Sequence, residues 1–192
     1  DLNGGSDNDR IRGGAGNDTI TASSGSDTID AQTGNDLLNL SFGGGSVEGS
    51  SGNDNFSVSS GSYTLSGGSE NDVFNLVSGT HTISGDSGND VFNVSGGTVT
   101  ILGNADSDVV NITGGTGSID TGSDNDTIHF NRPSQPSHAD AFSITDDSGA
   151  DVINIDLDST GKDTVMNNHA LVIPGYSITF SSGIDKVRID DA

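Results

Sequence analysis

The chain has 192 residues, with 29 Gly, 28 Asp or Glu and only 6 Lys or Arg, for a formal net charge of −22. Such a balance offers no basic patch to nucleic acid and disfavours anionic membrane surfaces, and no apolar run is long enough to insert into a bilayer or reads as a signal peptide. The absence of Cys excludes disulfides and thiolate metal sites, and 29% hydrophobic residues would ordinarily point to disorder.

Disorder needs no register, yet this chain keeps one. Asp9, Asp18, Asp27 and Asp36 stand nine residues apart, and Asp54, Asp72, Asp90, Asp108 and Asp126 follow at steps of eighteen. A fixed short period predicts stacked turns that each present a carboxylate at the same place. Carboxylates in a column repel one another, so cations are expected between them. The chain opens within a repeat, at Asp1-Leu2-Asn3-Gly4-Gly5, and is expected to be a piece of something longer.

Two residues after the Asp of each eighteen-residue unit stand Leu38, Phe56, Phe74, Phe92, Val110 and Ile128. Four residues after it stand Leu40, Val58, Leu76, Val94, Ile112 and Phe130, with Asn39, Ser57, Asn75, Asn93, Asn111 and His129 between. This alternation predicts a short strand with two inward columns and one outward polar column. Eleven residues after the Asp, a third apolar column of Val47, Leu65, Ile83, Ile101 and Ile119 predicts a second strand. Two strands and two turns per unit make a parallel solenoid with a thin core, of roughly ten coils and about 50 Å at the ordinary inter-strand spacing.

Beyond Asp126 the step to Asp151 is 25, so seven residues are inserted. Pro133 and Pro136 place that insert in a surface loop at about residues 131–142. Val152-Ile153-Asn154-Ile155 and Lys186-Val187-Arg188-Ile189 repeat the strand signature, with Ile144 and Ile178 seven residues before Asp151 and Asp185. Residues 1–155 are therefore expected to form the roll, and 156–192 the last coils with an irregular C-terminal cap.

The hexapeptides ending in Asp fall into two columns. One runs through Gly13–Asp18 (GGAGND), Ala31–Asp36, Gly49–Asp54, Gly67–Asp72, Gly85–Asp90, Gly103–Asp108 and Thr121–Asp126. The other begins with Gly4–Asp9 and Ala22–Asp27, then puts Gly45, Tyr63, His81, Val99 and Gly117 where the Asp should be. Gly13 to Ile20 (GGAGNDTI) resembles the nonapeptide G-G-x-G-x-D-x-U-x of the RTX (repeats-in-toxin) proteins, over residues 1–130 and less fully over 143–155. The resemblance implies a right-handed parallel β-roll with calcium held between successive turns on one side. The pattern is broken by Ala22, Ala31 and Thr121 at the first Gly, and by Glu70, Asp106 and Asp124 at the fourth position.

Calcium takes six to eight oxygen ligands, and glycine turns let carbonyls converge on one spot. The expected metal residues are Asp9, Asp18, Asp27, Asp36, Asp54, Asp72, Asp90, Asp108, Asp126 and Asp151, together with Gly13, Gly16, Gly34, Gly49, Gly52, Gly67, Gly85 and Gly88, whose turns aim their carbonyls at the ion. Seven turns from Asp18 to Asp126 leave six gaps and so six calcium sites, with one more between Asp9 and Asp27 opposite. At ten times its Kd each ion adds about 1.4 kcal/mol, so six add about 8 kcal/mol, as much as a typical domain's net stability. The chain is expected to be unfolded in low calcium and folded in high calcium.

Asp156 and Asp158 open an EF-hand-like stretch, but Asn167 stands where the bidentate Glu would be. His81, His129, His138 and His169 share no zinc-like spacing and read as structural. Thr64, Thr82 and Thr100, with Thr80, Thr98 and Thr116, form Thr-x-Thr rungs on the Asp-poor strand, a face for an ice or carbohydrate ligand or simply exposed strand. The Asn column reads as a stacked amide ladder, and Val73, Val91 and Val109 as an outward stripe fit for self-association. No catalytic constellation stands out. The expected function is a non-enzymatic, calcium-binding module of a secreted or cell-surface bacterial-type protein; the alternatives are an accessory module of a secreted protease, lipase or polysaccharide epimerase, and a calcium-dependent ice or carbohydrate binder.

Overall fold

The computed structural model describes residues 1–131, 140–145, 148–157, 170–173, 176–180 and 186–191. It contains two ten-stranded sheets and no helix among these residues. The narrow sheet is built mostly from four-residue strands: Leu2–Gly5, Thr19–Ala22, Leu37–Leu40, Asn55–Val58, Val73–Leu76, Val91–Val94, Val109–Ile112, Thr127–Asn131, Val152–Leu157 and Lys186–Asp191. The broad sheet stacks Arg10–Ala15, Ser26–Thr33, Gly44–Ser51, Ser62–Ser69, Thr80–Ser87, Thr98–Ala105, Thr116–Asp120, Asp140–Thr145 and Tyr176–Phe180, and ends on Ala170–Ile173.

The chain alternates between the sheets, and each strand pairs in parallel with the strand one coil later. Val73 faces Val91 and Val91 faces Val109; Ile83 faces Leu65 on one side and Ile101 on the other. The result is the expected parallel β-solenoid of about 18 residues per turn. Its only antiparallel pairing among the described residues is Ala170–Ile173 against Tyr176–Phe180, which closes the broad sheet at its C-terminal edge. A reversed last strand ends a parallel stack, because the next coil has no matching register to join.

The three predicted apolar columns form the core. Phe56, Phe74 and Phe92 are fully buried, with ring centroids 4.6 and 5.1 Å apart and planes within 17° and 4°. That separation is one coil repeat, so an in-register stack places equal rings face to face. The outward Asn column is a hydrogen-bonded ladder: Asn93 donates to Asn75 and Asn111 to Asn93, both at 3.0 Å, and Asn75 donates at 3.2 Å to Asn55, two residues before Ser57 of that column. His129 continues it, with its Nδ1 3.3 Å from the Asn154 amide.

Three expectations change. The broad-sheet strand after the insert begins at Asp140, so the insert is shorter than 131–142; its proline-bearing part lies outside the described residues. Ile178 does not share a rung with Ile144: it faces Phe142, and Phe180 faces Ile144. Counting back from Asp185 misses this because the spacing between the two sheets' strands is not conserved in that last coil. Val73, Val91 and Val109 are half-buried, so they do not form an exposed stripe. The most exposed large apolar side chains among the described residues are Phe42 (80%) and Val77 (58%), both on the Asp-poor turns.

Candidate metal column and its plugged counterpart

Each turn from narrow to broad strand, or back, must reverse the chain within a few residues. On the Asp-rich side this is done by left-handed backbone at the second and fourth positions of the hexapeptide. The second position is Gly14, Gln32, Ser50, Gly68, Asp86, Asn104 and Gly122 in successive coils, all with φ between 75° and 114°. The fourth is Gly16, Gly34, Gly52, Glu70, Gly88, Asp106 and Asp124, all with positive φ. Glu70, Asp106 and Asp124 therefore keep the turn that glycine makes, at φ of 73–81° rather than 101–134°. Two of them also tie coils together: Glu70 Oε2 accepts from Gly52 N at 2.8 Å and Asp106 Oδ2 from Gly88 N at 3.1 Å.

The turns bring the predicted Asp residues into one column. Asp36, Asp54, Asp72, Asp90, Asp108, Asp126 and Asp151 are all buried, at 0–4% exposure. The Oδ1 of each accepts from the backbone N–H of the Asp one coil earlier, from Asp18 N to Asp36 (2.7 Å) through to Asp126 N to Asp151 (2.9 Å). The partner oxygen is left over. In Asp9, Asp18, Asp27, Asp36, Asp54, Asp72, Asp90, Asp108, Asp126 and Asp151, Oδ2 is buried with no hydrogen-bond partner.

A row of orphaned carboxylate oxygens is costly unless something positive meets them. Burial, reinforced by the like charges of neighbouring Asp and Glu residues, pushes Asp72 and Asp108 up to about 8. Burial likewise raises Asp54, Asp90 and Asp126 to about 6, although the backbone N–H bonds pull each the other way.

The first-position glycines complete the arrangement. A Cβ at Gly67 would lie 2.2 Å from Asp72 Oδ2 and 2.8 Å from the carbonyl oxygen of Gly85, one coil on. The same pair of oxygens converges at Gly49, Gly85 and Gly103. Carboxylate and carbonyl oxygens directed at one spot are the donor set of a hard cation such as calcium. Among the described residues no three His, Cys, Asp or Glu side chains cluster as a ready-made metal site. That agrees with one carboxylate per coil supplemented by backbone oxygens. The first-position carbonyls of Gly67 and Gly85 belong to residues expected at the metal; those of Gly103 and Thr121 were not expected there.

A second ladder was also missed. Asn17, Asn35, Asn53, Asn71 and Asn89, each just before the Asp, accept through Oδ1 from the backbone N–H of the next coil at 2.7–3.1 Å. Asn side chains thus reach forward and Asp side chains reach back across the seams from the Asp18 coil to the Asp108 coil; at the next seam Ser107 replaces the Asn and only the Asp bond remains. The regular Asn in GND was the available signal.

The opposite turns behave differently. Asp9 N donates to Asp27 Oδ1 at 3.0 Å, which starts a second carboxylate column. It stops there. Tyr63, His81 and Val99 occupy the same inward position in later coils and are 1–2% exposed. Tyr63 and His81 stack at 6.0 Å, and His81 Nε2 lies 2.8 Å from the Ser78 carbonyl, which makes it the protonated nitrogen. Burial raises Tyr63 and lowers His81 from their ordinary pKa values. Side chains plug the space in these turns.

Thr64, Thr82 and Thr100 share consecutive rungs on the outside of the broad sheet and are exposed, as are Thr80 and Thr98, while Thr116 is half-buried. Hydroxyls meet along the columns, Thr98 with Thr116 at 3.3 Å and Ser118 with Thr100 at 3.4 Å. The strand Val152–Leu157 carries Asp156 as a sheet rung; Asp158 and the rest of the EF-hand-like stretch lie outside the described residues, as do His138 and His169. No helix among the described residues is long and apolar enough to cross a membrane.

No curated protein matches the chain. A family model described as the RTX calcium-binding nonapeptide repeat (4 copies) matches residues 3–38, 46–80 and 84–118, more than half of the chain. The matched segments contain Asp9, Asp18, Asp27, Asp36, Asp54, Asp72, Asp90 and Asp108, the residues whose Oδ2 atoms stand unpartnered in the two columns. Sequence repeat, solenoid and carboxylate column agree, and the chain belongs to the RTX calcium-binding nonapeptide repeat family.

Proposed function

We propose that this chain is a non-enzymatic β-roll module of a secreted or cell-surface protein, which folds when calcium fills its carboxylate column and serves as a structural or adhesive segment. The observation that carries this reading is the row of buried, unpartnered Asp Oδ2 atoms, each beside a bare glycine and a backbone carbonyl. Asp18, Asp36, Asp54, Asp72, Asp90, Asp108, Asp126 and Asp151 would hold the ions on one side, and Asp9 with Asp27 on the other. Bound calcium would supply the positive charge that lets these groups stay ionised in the interior. Below its Kd the fold bears their mutual repulsion instead. Export fits the same chemistry, because extracellular modules bind calcium at roughly 10⁻⁴–10⁻³ M. Circular dichroism in millimolar calcium and in EDTA tests the reading: a β-rich spectrum is expected only with calcium, and one unchanged by EDTA would sink it.

An accessory role beside the catalytic domain of a secreted enzyme uses the same column and is tested by the full-length reading frame. A third reading has its own observation. The outward residues Ser62, Thr64, Thr80, Thr82, Thr98, Thr100, Thr116 and Ser118 form a hydroxyl face on a chain of charge −22, bordered by Ser66 and Ser84, which donate to Asp86. Thermal hysteresis that is abolished by Thr82→Tyr would support an ice ligand for that face.

A further inference from the structure

The seats along the Asp-rich column are not alike. A Cβ at Gly49, Gly67, Gly85 or Gly103 would fall 2.2–2.3 Å from the Oδ2 of Asp54, Asp72, Asp90 or Asp108, closer than any real side-chain carbon can lie. In those four coils the carboxylate rests against bare backbone. Two coils carry a real Cβ at the same place. Ala31 precedes Asp36 and is fully buried; Thr121 precedes Asp126 and is 2% exposed. At the first coil the glycine is present, but Asp18 Oδ2 lies 3.1 Å from the equivalent point of Gly13.

A methyl carbon and a carboxylate oxygen cannot share that space, so Asp36 and Asp126 cannot rest against first-position backbone as the central four do. Calcium ligand distances span only 2.3–2.6 Å, and a displacement of several tenths of an ångström removes an oxygen from the shell or stretches it.

Building on the calcium reading above, we propose that Ala31 and Thr121 set the affinity of the coils flanking the central four, so that the coils from Asp54 to Asp108 load before those at Asp36 and Asp126. Isothermal titration of the whole chain with calcium should resolve a strong and a weak class of sites. Ala31→Gly and Thr121→Gly should each move an ion from the weak class to the strong, with a gain of about tenfold at that site. Gly67→Ala should move one the other way. If that variant fails to form a β-rich spectrum in calcium, Ala31→Gly decides, since it only removes a methyl. A single class of sites, or class populations unaltered by Ala31→Gly and Thr121→Gly, overturns the inference while leaving the calcium reading standing. A chain that takes up no calcium overturns both.

Discussion

The Asp54 backbone N–H donates to Asp72 Oδ1 at 2.7 Å while Asp72 Oδ2 has no partner, so one carboxylate both joins two coils and offers a bare oxygen. The two roles separate in Asp72→Asn, which keeps an acceptor for the N–H and loses the charge. In calcium this variant should lose about one site's contribution, on the order of 1.4 kcal/mol at ten times Kd. In EDTA it should retain at least as much residual β-structure as the parent, because a buried, unpaired charge is gone. Chemical denaturation in calcium and circular dichroism in EDTA measure the two effects.

Acidity should favour the calcium-free fold. Asp54, Asp72, Asp90, Asp108 and Asp126 hold protons up to about 6 to 8 when folded, against an ordinary value of 3.8. Between pH 4 and 8 the folded chain therefore binds more protons than the unfolded one, and its stability falls as pH rises through that window. In EDTA, circular dichroism should show more residual β-structure at pH 5 than at pH 8. With calcium the order reverses, because the ion replaces the protons and binds more tightly as they leave.

Core and surface aromatics should differ sharply. Phe74 is fully buried between Phe56 and Phe92, and Phe74→Ala should cost about 3–5 kcal/mol. Phe42 is 80% exposed, and Phe42→Ala should stay within about 0.5 kcal/mol. Denaturant midpoints in saturating calcium compare them.

The plugged turns should be indifferent to calcium. Tyr63→Ala empties a space filled by a ring stacked on His81, and it should lose about 3 kcal/mol or more. That loss should be nearly the same at one and at ten millimolar calcium, whereas the penalty of Asp72→Asn grows with concentration.

The outward amide ladder should contribute modestly. Asn93 donates to Asn75 and accepts from Asn111, so Asn93→Ala leaves two half-buried amides short of a partner. A loss of about 1 kcal/mol is expected, readable as a shift of the urea midpoint without change in slope.

Most of this architecture is legible in the sequence because a solenoid writes each coil in the same alphabet. The apolar columns through Phe74 and Ile83 fix the strands and their faces, and the Asp ruler fixes the metal side. Legibility fails where the spacing between strands drifts, as at Ile178, whose rung is set by pairing with Phe142 rather than by counting from an Asp. It fails also where the main-chain donor sits on a residue outside the glycine pattern, as with the Thr121 carbonyl beside Asp108. Glu70 looked like a damaged turn because glycine is the usual left-handed residue; its φ of 74° and its bond to Gly52 show that the coil tolerates the exchange.

The stacked rings of Tyr63 and His81 and the buried Val99 give this rod two long edges held by unlike means. Under the calcium reading, one edge is fastened by solutes that a chelator can withdraw, and the other, from Tyr63 to Val99, by its own side chains. Withdrawing the ions should therefore undo the rod from a single seam, as a book opens away from its spine, with the plugged turns the last to let go.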